Sequence, residues 1–215
     1  MSKISKEFMQ KAISDMLAER KNKKFVETVE LQVVLRDYDP EKEKRFVGAV
    51  KLPNCPHPNM KVAVIGTAAH CDQAKQEGIP CIDVEGMKRF NKDKKQIKKW
   101  AKQYDQLIAS ESLMKQIPRL LGNTLTKIGM FPQPVGESEV IKLKVQEVRG
   151  LIKWQLKKVL TLGNGVGTVD MDEEQIRQNI AMSINFLVSL LKKGWHNIKT
   201  LHIKTTQSKS IRIYG

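Results

Sequence analysis

Aromatic residues are scarce in this 215-residue chain, at 6% of the sequence. That argues against a base-stacking platform as the main binding mode, because such platforms present successive aromatic rings. Cysteine is rarer still: Cys55, Cys71 and Cys81 are an odd set with no Cys-x-x-Cys pair. Zinc ligands come in tight pairs such as Cys-x-x-Cys or His-x-x-x-His, so Cys55, His57, His70, Cys71 and Cys81 lack metal-site spacing. Unpaired thiols in odd number fit a reducing, intracellular setting. No apolar run reaches 18 residues, and Met1-Ser2-Lys3 opens neither a signal peptide nor a myristoylation motif. Gly-x-Ser-x-Gly and His-Glu-x-x-His are missing too. The expectation is a chain with no catalytic residues, metal, cofactor, membrane anchor or small-molecule substrate.

Acidic residues are few relative to basic ones: Asp+Glu number 23 and Lys+Arg 38, a net charge of +15. Such an excess repels itself in a compact fold, so it points to a polyanionic partner. With no apolar span or lipidation motif to hold a membrane, nucleic acid is the preferred partner. Few aromatics suit an RNA binder that reads backbone and shape. The hydrophobic content of 40% supports a real core, and the length suits one large or two small domains.

Periodicity divides the chain into three stretches. Lys6–Arg20 places Phe8, Ala12, Ile13, Met16 and Leu17 on one helical stripe, with basic residues 21–24 after it. Phe25–Leu35 alternates, the Asp37-Tyr38-Asp39-Pro40 turn follows, and Arg45–Leu52 alternates again. Together these predict a long antiparallel hairpin with one wet face. Residues 53–58 form a stiff proline-dense connector. Then the style changes. Val62–Ile65 is a continuous apolar run, followed by a helix over 68–77, a strand over 79–84, a helix over 92–102 and a strand over 106–109. Strands alternating with helices imply a parallel α/β sheet. The antiparallel style resumes at Leu151–Val159. There Ile152, Trp154 and Leu156 share one face, while Lys153, Gln155 and Lys157 share the other. A helix is predicted over 172–193 with Asp172 as N-cap. Strands over 199–204 and 210–214 close the chain. The expected fold is a discontinuous α+β domain, an antiparallel sheet with helices, made from residues 1–60 and 150–215. A Rossmann-like α/β domain at 61–149 is inserted in it through two adjacent crossings that form a hinge.

Several segments carry chemistry or mimic it. The loop Thr205-Thr206-Gln207-Ser208-Lys209 is all hydroxyl, amide and ammonium: an ordinary polar turn, or a surface for sugars and phosphates. Gly163-Asn164-Gly165-Val166-Gly167 has Gly-x-Gly-x-Gly spacing, which is neither a dinucleotide fingerprint nor a P-loop, and reads as a flexible connector. Lys94, Lys95, Lys98 and Lys99 read as a solvated helix face in preference to an electrostatic funnel. Lys153, Gln155 and Lys157 project from a rigid strand, which better suits phosphate contact. Phe25 is either core or a rim residue that stacks on a nucleoside; its surroundings in sequence leave both open.

Four segments together resemble a known family. Lys24-Phe25-Val26-Glu27-Thr28-Val29-Glu30 is similar to that family's first strand, Lys-Phe-x-Glu-Thr-Val-Glu. Residues 45–53 resemble its second strand and connector, and residues 185–193 with Trp195 resemble its eukaryotic helix. Thr205–Ser208 stands where the family has a Ser/Thr-Thr-Met-Gly loop. The family is that of the large-subunit ribosomal protein of the mobile lateral stalk beside the tRNA exit site, in its eukaryotic form, and the resemblance runs the whole chain in order.

The resemblance implies the same two-domain fold and binding to stalk helices of large-subunit rRNA through the first domain. Carried over by position, Lys24, Phe25, Glu27 and Thr28 lie on the RNA-binding strand. Thr205, Thr206, Gln207 and Ser208 form the facing loop, and Lys153, Gln155 and Lys157 add backbone contacts from the neighbouring strand. The implied role is structural, in the cytosolic ribosome, with other ribosomal components and exit-site tRNA as partners and release of deacylated tRNA assisted by stalk movement. Two other readings stand beside it: a nucleotide- or small-molecule-binding enzyme using the inserted domain, and a free RNA-binding regulator. The departure from the family pattern is Gln207-Ser208 in place of Met-Gly. A serine is strained where a glycine adopts positive φ.

Overall fold

The computed structural model describes residues 4–19, 25–40, 42–43 and 45–215. Lys24 and the basic run before it lie outside the described residues. In chain order the elements open with helix α1 (Lys6–Ala18) and strands β1 (Thr28–Leu35) and β2 (Val47–Lys51). Next come β3 (Val62–Ile65), α2 (Ala68–Gln76), β4 (Cys81–Ile82), α3 (Val84–Arg89), α4 (Lys94–Ala101) and β5 (Gln106–Ser110). They continue with α5 (Glu111–Met114), α6 (Ile117–Leu121), α7 (Thr124–Ile128), β6 (Gln133–Val135) and α8 (Ile141–Arg149). The last are β7 (Leu151–Gln155), β8 (Thr161–Thr168), α9 (Glu173–Leu190), β9 (Ile198–Thr205) and β10 (Ile211–Tyr214). The fold is mixed α/β with antiparallel and parallel sheets, and the chain falls into two compact units, Met1–His57 with Gly150–Gly215, and Pro58–Arg149.

In the first unit a four-stranded antiparallel sheet runs in the order β10-β9-β1-β8. The predicted pairing of β1 with β2 does not occur. Both edges of β1 are taken, by β8 and by β9, so β2 instead pairs with β7 in a separate two-stranded sheet. The glycine segment predicted as a connector, Gly163–Gly167, forms most of β8. It pairs with β1 through a bulge: Gly167 faces Val29, Gly165 faces Glu30, and Val166 is the extra residue. The carbonyl of Val166 accepts from Asn179 Nδ2 at 2.8 Å, and Asn179 also bonds the connector through Asn54 N and O. Fully buried Asn179 thereby satisfies the bulge and anchors residues 53–54 to α9.

Alternation sets the faces of this sheet. Val29, Leu31, Val33, Leu35, Leu201 and Ile203 point inward, under α1 and α9. The α1 stripe that packs there is Met9, Ala12, Ile13 and Met16, while Phe8 is 49% exposed and Leu17 only partly covered. That shifts the predicted stripe toward Met9, because positions i, i+3, i+4 and i+7 share one face. Asp172 and Gln175 form a capping box at the start of α9, whose Ile176, Ile180, Ile184 and Leu187 are buried. At the other end of α9, Gly48 of β2 lies against Leu190 and Phe186: a Cβ there would come within 2.8 Å of Leu190 Cδ1 and 3.0 Å of Phe186 Cζ.

The second unit is a parallel sheet in the order β4-β3-β5-β6. Its central strands are buried on both faces, which accounts for their continuous apolar runs. One face packs on α3, α4, α6 and α7, and the other on α2 and α8. The strand predicted over 79–84 is only Cys81–Ile82, because Asp83 caps α3 by accepting from Gly86 N at 2.7 Å. At the carboxyl ends of β3 and β5, His70 Nδ1 and Ser110 Oγ lie 2.5 Å apart, and Ser110 Oγ also accepts from Thr67 N. Both side chains are buried, so this pair braces the turn after β3.

Two outcomes follow. Gly48→Ala should destabilise the protein by about 1–3 kcal/mol through overpacking against α9, seen as a lowered melting temperature. Burial, with the Cys81 thiol beside it, pushes the Cys71 thiol up to about 11. At pH 8 a thiol reagent should therefore label exposed Cys55 and leave Cys71 untouched, with Cys71 labelling rising only as the pH approaches 11.

Candidate nucleic-acid interface

The loop between β9 and β10 is bound to residues 27 and 28 by three side-chain hydrogen bonds, continues the ladder at Val29, and is closed on itself by two reciprocal bonds. Thr206 Oγ1 accepts from Thr28 N at 3.1 Å and donates to Thr28 O at 3.5 Å. Glu27 Oε2 accepts from Gln207 N at 3.2 Å, and Val29 pairs with Thr205 in the ladder. Within the loop, Ser208 Oγ accepts from Thr205 N at 2.8 Å while Thr205 Oγ1 accepts from Ser208 N at 3.2 Å. Ser208 Oγ also donates to Lys209 O.

Burial divides these residues into two kinds. Glu27 is 1% exposed and Thr205 fully buried. Both aim their oxygens at the loop's own amides, so the tip is not uniformly a presenting surface as predicted. Thr206, Gln207 and Lys209 are exposed, and Ser208 partly so. Among the described non-glycine residues, positive φ occurs at Asp37, Asn91 and Lys92, not at Ser208. The strain expected of a serine at the family's glycine position is therefore absent, and its hydroxyl closes the loop.

Phe25 and Glu27 precede β1; of the described RNA-binding residues expected on that strand, Thr28 alone lies in it. Phe25 is 46% exposed, which answers the question left open by its surroundings: it is a rim residue. Lys153, Gln155 and Lys157 are exposed and line a cavity of about 180 Å³ with Gly163 and Asn164. Asn164 Nδ2 donates to Lys153 O at 3.0 Å, so this patch adjoins β8. The expectation that it lies on the strand next to β1 is corrected by the glycine strand: β8 occupies that place, and β7 pairs with β2. The loop and the patch are thus separate surfaces of one unit, with β1 and β8 between them.

Sequence reading placed Thr28, Glu30 and Gln32 on the wet face of β1 but missed that they align there with His202, Lys204 and Arg212. It also missed His57. A Cβ at Gly165 would meet Thr28 Cγ2 at 2.9 Å and His57 Cε1 at 3.0 Å, so the bare glycine lets both lie across the strand. The signal was present: glycine inside a strand marks a close approach. Among the described residues, no group of three or more His, Cys, Asp or Glu side chains is placed to hold a metal ion.

Glu27→Ala should leave the Gln207 amide without its buried acceptor. The expected results are a loss of about 1–3 kcal/mol in stability and faster amide exchange across residues 206–209, read by hydrogen-exchange mass spectrometry.

The match to known proteins covers nearly the whole chain. Residues 17–209 match the family described as Ribosomal protein L1p/L10e. Proteins named large ribosomal subunit protein uL1 from Oryza sativa subsp. japonica and uL1A from Schizosaccharomyces pombe are each 52% identical over 216 residues, covering 100% of both chains. The uL1 protein of Spodoptera frugiperda is 50% identical over 215 residues, covering 99% of both. This is a family of structural ribosomal proteins and not of enzymes. With half its residues identical to theirs from end to end, the chain belongs to the L1p/L10e family of ribosomal proteins.

Proposed function

We propose that the chain is a structural constituent of the large ribosomal subunit that binds stalk-region rRNA. The observation that carries this reading is the β9–β10 loop, bound to the start of β1 by Glu27 and Thr28 so that it presents Thr206 and Gln207, with exposed Phe25 two residues before Glu27 in the chain. A preordered hydroxyl and amide loop suits 2′-OH and phosphate contacts, which need fixed geometry more than stacking area. In this reading Lys24, Phe25, Thr28, Thr206, Gln207 and Ser208 meet the RNA. Glu27 and Thr205 hold the loop in position. Lys153, Gln155 and Lys157 contact phosphates as a second patch. Residues 1–60 and 150–215 act as the rRNA-binding domain and residues 61–149 as the inserted Rossmann-like domain. The uL1 names of the relatives support a place in the ribosome. We extend this to cytosolic ribosomes, with exit-site tRNA among the partners and release of deacylated tRNA assisted as the stalk moves.

Thr206→Ala should weaken binding to a stalk rRNA fragment about tenfold, a loss of about 1.4 kcal/mol, while circular dichroism keeps the wild-type secondary structure and the melting temperature falls only slightly through the lost bonds to Thr28. Wild-type affinity should also fall steeply between low and moderate salt, since counterion release dominates such binding. An unchanged affinity in the variant removes the loop from the interface. A salt-insensitive wild type overturns the RNA reading itself.

A further inference from the structure

We propose that the Pro58–Arg149 unit carries an RNA site of its own: a lysine-rimmed cleft that takes an unpaired nucleotide and its flanking phosphates. A cleft of about 410 Å³ is lined by Lys92, Lys94 and Lys98, by Lys127 of α7, and by the apolar Leu121 and Ile128. The lysines arrive from separate segments. Lys94 and Lys98 are one turn apart on the same face of α4, which packs against α7. Lys92 stands in the turn before α4, where Asn91 and Lys92 hold φ values of 46° and 59°, rare for residues with a side chain. Lys95 and Lys99 do not line the cleft; all four helix lysines are exposed, and Lys94 and Lys98 are the pair on its side.

Four exposed lysines line this one cleft, and none has a carboxylate ion-pair partner among the described residues. The adjacent Asp93 carboxylate is engaged as the α4 N-cap, accepting from Lys95 N at 2.8 Å. Such convergence repels itself and is relieved by a polyanion. The floor narrows the choice. Next to the fully buried Leu121, half-buried Ile128 leaves an apolar surface that a bare phosphate does not use. A nucleotide in a single strand uses both parts: its base rests on the apolar floor at Ile128, and the phosphates on either side meet the lysines. The cleft volume lies within the range of small-ligand sites.

The test uses the full chain and a uridine decamer containing 4-thiouridine. Photocrosslinks are expected in the peptides holding residues 92–98 and 121–128. They should persist in Thr206→Ala, which separates this site from the one on the first unit. Replacing Lys94, Lys98 and Lys127 by Gln should lower decamer affinity at least tenfold at low salt. It should also reduce the slope of log affinity against log salt by about 2, since each phosphate contact to a single strand contributes about 0.7. The matching triple Arg replacement should restore the slope. Unchanged affinity and slope in the Gln variant overturn the proposal, as do crosslinks confined to the first unit. Uridine monophosphate competing as strongly as the decamer also overturns it, by showing a mononucleotide pocket. A failure of stalk-fragment binding leaves these readouts intact, so the two readings fail independently.

Discussion

Strand β1 has neighbours on both edges, and the architecture of the first unit follows from that. Pairing with β8 and β9 satisfies its backbone on each side and leaves β2 to find β7. It also fixes the faces. Val29, Leu31, Val33 and Leu35 must go under α1 and α9, and Thr28, Glu30 and Gln32 must go outward. The bulge opposite Val29 and Glu30 disturbs the ladder at one point, and a fully buried asparagine from α9 takes up the carbonyl of the extra residue. That bond links sheet, helix and connector, so the position of the connector depends on the register of β1.

The same strand organises the candidate interface. The β9–β10 loop is short and polar, and would be mobile if left alone. It is ordered from two directions. Glu27 and Thr28 hold it from outside, and the reciprocal Thr205–Ser208 bonds hold it from inside. The Gln207-Ser208 replacement therefore keeps the loop closed by a side-chain hydroxyl in ordinary backbone conformation, where a glycine would rely on backbone freedom. Ordering a binding loop before its partner arrives lowers the entropy lost on association.

The second unit is built by a different rule. Its central strands are buried on both faces and its core is divided by the sheet, so chemistry is pushed to the perimeter helices. The buried polar pair at the carboxyl ends of β3 and β5, His70 with Ser110, braces a turn. The cleft lysines around α4 and α7 are part of that perimeter and have no ion-pair partner among the described residues.

Periodicity alone was enough for α1, α9, β3, β5, β9 and β10, because each buries one face or both and its apolar spacing records which. Net charge and missing motifs pointed to a polyanion and away from catalysis. The ordered resemblance of four segments led to the family that end-to-end identity then established. Pairing was not legible. A hairpin between β1 and β2 satisfies the same alternation as the observed sheet, and a glycine-rich strand has no side chains to announce itself. Nor could spacing reveal that Glu27 and Thr205 face inward to hold a loop, or that Lys94 and Lys98 turn toward Lys127 while Lys95 and Lys99 turn away. Which residues are apolar, charged or small was determined by the sequence. Which of them meet was decided by tertiary structure, because hydrogen-bond partners on a strand edge and neighbours around a cleft come from segments tens to hundreds of residues away.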